Sequence, residues 1–150
     1  MKKVFLITLL SGFFALTAHA QAPTEIKDKD VPQAIRTAFD NEFDNTTLVN
    51  WKLKEGNYKA SFMMNLKKHF AEYSSSGELL SKGEKIEKDE LPTPVSDAVK
   101  TGYAGKDIDE AFKVEKGGQT HYMVKLEGEP KKKIVYDAQG NLVKEKKMDK

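Results

Sequence analysis

Two segments of the chain carry the same residues at the same spacing, and this recurrence limits the fold more than any other feature. Tyr73 is followed by Gly77 and Leu79, and Tyr136 by Gly140 and Leu142. Each set reads as a strand, a tight turn with a glycine free to be left-handed, and a second strand. An alternating run stands before each, Tyr58–Phe62 and His121–Leu126. Further upstream, Val31-Pro32 is answered by Leu91-Pro92. The helical stripe Ile35, Ala38, Phe39, Phe43 is answered by Val95, Ala98, Val99, Tyr103. The chain therefore reads as one helix and four strands, twice, with a period of about 60 residues.

The expected class is α+β: two tandem repeats, each a helix packed on a four-stranded antiparallel sheet, over residues 21–86 and 87–150. The pattern also allows one continuous sheet of about eight strands. A unit of about 60 residues buries only about 60% of its unfolded surface, so the halves should lean on each other. Within them, Asp30 and Gln33 have the spacing of a capping box, and Thr93-Pro94 offers a second cap. Residues 21–29 read as a flexible leader and 65–68 as a polar loop. Trp51 should lie between sheet and helix, with Phe112 and Val114 in the places of Trp51 and Leu53.

The first residues form a secretory signal. Lys2-Lys3 is a positive start, Val4–Leu16 a short apolar run, and Ala18-His19-Ala20 a small-residue cleavage site. The run is shorter than the roughly 20 apolar residues a membrane span needs. The mature chain should begin at Gln21, in the periplasm or outside the cell. The absence of Cys excludes disulfides, thiolate chemistry and a lipid-anchored Cys.

The formal net charge is +2, and Lys2 and Lys3 account for it. The chain beyond the signal is neutral overall, which removes the basic field that nucleic-acid binding needs. No enzyme is expected. His69 and His121 fall in different halves, without His, Cys or carboxylate partners at ligand spacing. Asp137–Asn141 lacks the repeated ligands of a Ca²⁺ loop and reads as a turn. Ser74–Gly77 has no nucleophile elbow around it, and neither Gly105-Lys106 nor Gly117-Gly118 forms a phosphate loop. No cofactor or metal is expected.

The ordered set Val-Pro-x-x-Ile, Trp-Lys, Tyr-x-x-x-Phe and Tyr-x-x-x-Gly-x-Leu resembles the PepSY-like, beta-lactamase-inhibitor-protein-like periplasmic proteins of the Bacteroidetes. The resemblance covers nearly all of the chain after the signal. It implies helices on one face of an antiparallel sheet, in tandem copies, and no enzyme activity. Ser74 stands where the family commonly has Asp, which the second repeat keeps as Asp137.

That leaves the sheet face turned away from the helices. Strand alternation places Met63, Phe70, Leu80, Met123, Val135 and Val143 there, among Lys and Glu. An apolar centre with a charged margin is the composition of a protein-binding patch. The expected function is binding, inhibitory or not, of a periplasmic protein or peptide by a monomer. A structural or assembly accessory of the cell envelope is the alternative. The plain alternatives for the six residues are packing of the two repeats against each other and scattered surface apolar residues.

Overall fold

Nine strands lie side by side in the order in which the chain makes them. The computed structural model describes residues 22–148. They form β1 (Thr24–Ile26), α1 (Gln33–Glu42), β2 (Thr47–Lys54), β3 (Asn57–Met64), β4 (Lys67–Tyr73) and β5 (Leu79–Ile86). Then come α2 (Thr93–Gly102), β6 (Ile108–Lys116), β7 (Gln119–Leu126), β8 (Lys131–Asp137) and β9 (Leu142–Met148). The fold is α+β, with one continuous antiparallel sheet ordered β1 to β9 and two helices. The ladder runs unbroken from β5 to β6, through the expected boundary at 86/87. The signal peptide and its cleavage site lie outside the described residues.

Both helices bury the stripe read from their spacing. Ile35 and Phe39 of α1 and Val95 and Val99 of α2 are buried on the sheet. Around α1 the core is Phe39, Phe43, Trp51, Phe62 and Tyr73; around α2 it is Val95, Val99, Val124, Leu126, Ile134 and Tyr136. Trp51 packs edge-on against Phe39, with ring centroids 5.3 Å apart. Its indole N–H donates to Asp28 at 3.1 Å.

Several local expectations are corrected. Residues 24–26 form β1, paired with Trp51–Leu53 of β2, because Ile26 gains a place at the first core. Neither helix has a side-chain cap. Pro32 and Pro92 occupy the N-cap positions, and their carbonyls accept the first helical amides. The reciprocal box forms one turn earlier in the second half, between Glu87 and Glu90. The loop at 65–68 shrinks to the two-residue turn Asn65-Leu66, and Lys67 and Lys68 open β4.

The largest correction concerns β6. Ala111 pairs with Val124 and takes the helix-side place expected for Phe112. Phe112 and Val114 point to the helix-free face. Period two states that a strand has two faces; it does not state which face is covered. Between α1 and α2 the helix side of the sheet is open. Lys82, Glu84, Lys113 and Glu115 line it there, and Lys82 bridges Glu42 at 2.9 Å and Glu115 at 3.5 Å.

Candidate interaction face

The helix-free side carries a third apolar cluster, and it is closed by the sheet itself. Phe70, Phe112 and Met123 are 9%, 3% and 4% exposed, with half-buried Val114 and Val135 packed against them. Phe70 reaches across β5 to Phe112, with ring centroids 5.9 Å apart. It can do so because the intervening position is Gly83.

Of the six residues expected on this face, the structure brings together Phe70, Met123 and Val135. Met63 is half-buried and lies outside that cluster. Leu80 and Val143 fall where two ladders slip. Glu72 pairs with Ser81 and Tyr73 with Leu79, leaving Leu80 as an extra residue. Val135 pairs with Lys144 and Tyr136 with Leu142, leaving Val143 in the same situation. A bulge of this kind breaks the alternation on which both placements rested. Val143 is 52% exposed, on the outermost strand.

No helix covers this cluster; its burial comes from side chains of the sheet's own strands.

Lysines form the upper layer. The Lys59 ammonium stands 4.5 Å from the centre of the Phe70 ring, and those of Lys125 and Lys68 stand 5.4 and 6.0 Å from that of Phe112. Such contacts stabilise by about 0.5–1 kcal/mol where exposed and more where water is excluded. Glu110 is their main counter-charge. It accepts from Lys125 and Lys68 and lies 3.5 Å from Lys85. Burial alone would raise the Glu110 carboxyl, but the hydrogen bonds and charges of Lys125 and Lys68 outweigh it and hold it at about 2. Burial pushes Lys133 down, and repulsion from Lys59 and Lys125 brings it to about 8. Lys59 is lowered too, by burial first, against the opposing pull of Glu72.

The remaining candidates are placed apart. His69 is 8% exposed and stacks on Phe62, with centroids 5.6 Å apart, on the helix side. His121 is half-buried opposite Asp137. Among the described residues no group of three or more His, Cys, Asp or Glu side chains could hold a metal ion. The Asp137 carboxylate accepts the amides of Gln139 and Asn141, both at 2.9 Å, and the Asn141 side chain at 2.8 Å. Ser74 fills the same role in the first half, accepting the amides of Ser76 and Glu78. Sequence reading missed Phe112 and Lys133 on this face. The alternation of Phe112 and Val114 was visible but assigned to the wrong face, and Lys133 reads as part of a solvated run of lysines.

A family model described as "Putative beta-lactamase-inhibitor-like, PepSY-like" matches residues 19–70 and again residues 56–144. Solved structures share the fold. One described among "putative periplasmic proteins" of Bacteroides eggerthii superposes with a TM-score of 0.68 at 18% identity, covering 78% of this chain and 88% of that one. A DUF2874 family protein from Bacteroides ovatus gives 0.65 at 24% identity, covering 77% and 86%. A BLIP-like protein from Bacteroides fragilis gives 0.61 at 22%, covering 77% and 85%. No curated protein matches the sequence. Among the described residues no helix is long and apolar enough to cross a membrane.

Proposed function

The chain belongs to the beta-lactamase-inhibitor-like, PepSY-like family, and from that premise we propose that it is a non-catalytic module of the periplasm that holds a protein or peptide on its helix-free sheet face. The observation that carries this reading is the helix-free face itself: an apolar cluster beneath a layer of lysines. A rim of charge around an apolar centre suits a protein partner. The periplasmic description of the Bacteroides eggerthii structure and the signal-like first twenty residues support the compartment. Export would release a chain that starts at Gln21.

The proposal includes the two-copy origin of the fold, with units at about 21–86 and 87–150. Each helix has 10 residues and follows a proline N-cap. The extra residues Leu80 and Val143 occur at the same point of the hairpin after Tyr73 and Tyr136. The two overlapping family matches also favour it.

The working residues are then the accessible ones around the cluster: Val135, Met63 and the lysines. Phe70 and Met123 support the floor from beneath. The test is a photocrosslinking amino acid placed at Val135, at Met63 and, as a control on the other side, at Lys100 of α2. Irradiated native periplasm should give a discrete adduct from Val135 and Met63 and none from Lys100. No adduct at Val135, or the same adducts from Lys100, would remove the reading.

A further inference from the structure

The side of the sheet that carries the helices has an opening of its own, between α1 and α2. A cleft of about 210 Å³ lies there, lined by Phe43, Met64 and His69 and by the strands β5 and β6. It is smaller than the roughly 300–1,000 Å³ of pockets that take drug-sized ligands, so it suits a small metabolite. Phe43 caps the end of α1, and half-buried Met64 ends β3 and packs against the first core. These two make one wall apolar. The His69 ring is held in place by its stack on Phe62.

Register brings charge into the same cleft. Phe62, His69, Glu84 and Lys113 stand directly opposite one another across β3, β4, β5 and β6. Residues in that relation share a face, with Cβ atoms about 4.5–5.5 Å apart. Glu84 and Lys113 therefore present opposite charges side by side, and both line the cleft. The next row along is Lys82 and Glu115, and it is already answered. Lys82 bridges Glu115 at 3.5 Å and Glu42 of α1 at 2.9 Å. Among the described residues Glu84 and Lys113 form no ion pair, with each other or with a third group, although Glu84 is half-buried. Charges withdrawn from water are normally paired.

We propose that this cleft binds a free α-amino acid with an apolar side chain. The ligand ammonium goes to the Glu84 carboxylate, its carboxylate to the Lys113 ammonium, and its side chain against Phe43 and Met64. An α-amino acid carries both charges on one carbon, which matches two counter-charges on facing residues. The same pair disfavours a ligand with a single charge: a lone carboxylate meets Glu84, and a lone ammonium meets Lys113. Glu84 precedes α2 and Lys113 follows it, so the site exists only where β5 and β6 join. It lies across the sheet from the interaction face and does not rest on that reading.

The test uses the purified protein and L-leucine, with NMR of the His69 and Phe43 rings and calorimetry. N-acetyl-leucine lacks the ammonium and leucinamide lacks the carboxylate; they also stand for the two ends of a peptide. Leucine should shift both rings saturably. Each analogue should bind at least about tenfold more weakly, the usual scale of loss when a charged hydrogen-bond partner is removed. Glu84→Gln and Lys113→Gln should each lose about tenfold in leucine affinity and keep the melting temperature, since neither leaves a partner unpaired. Lys100→Gln, on α2 outside the cleft, should bind as wild type. The site would be overturned by shifts that rise linearly without saturation, by wild-type affinity in Glu84→Gln or Lys113→Gln, or by an analogue that binds as well as leucine.

Discussion

The Phe70 ring lies on the backbone of Gly83, so close that a Cβ at Gly83 would sit 2.4 Å from Cε1 of the ring and 3.1 Å from the Lys113 carbonyl. Neither neighbour can give way freely, because Phe70 is wedged against Phe112 and the carbonyl belongs to the adjoining strand. Gly83→Ala should therefore cost about 1–3 kcal/mol, the usual range for overpacking. Elsewhere in a strand, Gly to Ala is mildly favourable. Urea denaturation checks it: an unchanged midpoint would show that the ring moves aside without cost.

Leu66 is 96% exposed and left-handed, with φ 61°, at the second position of the β3–β4 turn. The corresponding positions of two other hairpins are Gly56 and Gly118. A non-glycine residue in this region is strained by about 1–2 kcal/mol, and Leu66 recovers nothing by packing. Leu66→Gly creates the favoured Asn-Gly pair and should stabilise the protein by about 1 kcal/mol, measured by the same midpoint.

Phe112 tests whether the third cluster is structural core. At 3% exposure, Phe112→Ala should cost about 3–5 kcal/mol, as for an interior aromatic. Phe70→Lys should be similarly damaging, since it places an ammonium between Phe112 and Gly83. Thermal melts of both, beside Val143→Ala on the exposed outer strand, should show large drops for the first two and little change for the third.

The helix-free face also sets a pH response. Lys133 titrates near 8 in the folded chain and 10.5 as its ordinary value. Above pH 8 the unfolded chain holds more protons at this site, so the contribution of Lys133 to stability rises from pH 8 towards 10.5. Glu110 works at the other end. Its folded value of about 2 lies below 4.5, so its contribution is present above 4.5 and is lost as pH falls towards 2. Denaturation midpoints from pH 2 to 10 should show the alkaline rise flattened in Lys133→Met and the acid loss flattened in Glu110→Gln.

How much the sequence discloses depends on the reach of each signal. The stripes of Phe39 and Val99 and the inward place of Trp51 were legible because helical and strand periods are local. Leu80 and Val143 sit at one-residue bulges that the sequence does not show, because only the pairing of the strands reveals them. Phe112 was misplaced because both faces of β6 are partly covered. Lys133 was missed because Lys131-Lys132-Lys133 reads as a solvated turn, whereas it lies in β8 opposite Lys125.

The strand order carries a consequence for how the chain acquires its shape. Every ladder joins consecutive strands, and most of them are hairpins that can form as soon as their own residues are available. Closing short loops costs little entropy, and chains dominated by such contacts fold quickly for their strand content. Two pairings close longer loops: β1 with β2 around α1, and β5 with β6 around α2. Each therefore has to fold a helix into the connection before its ladder can close, and the two helices sit in the only long loops among the described residues.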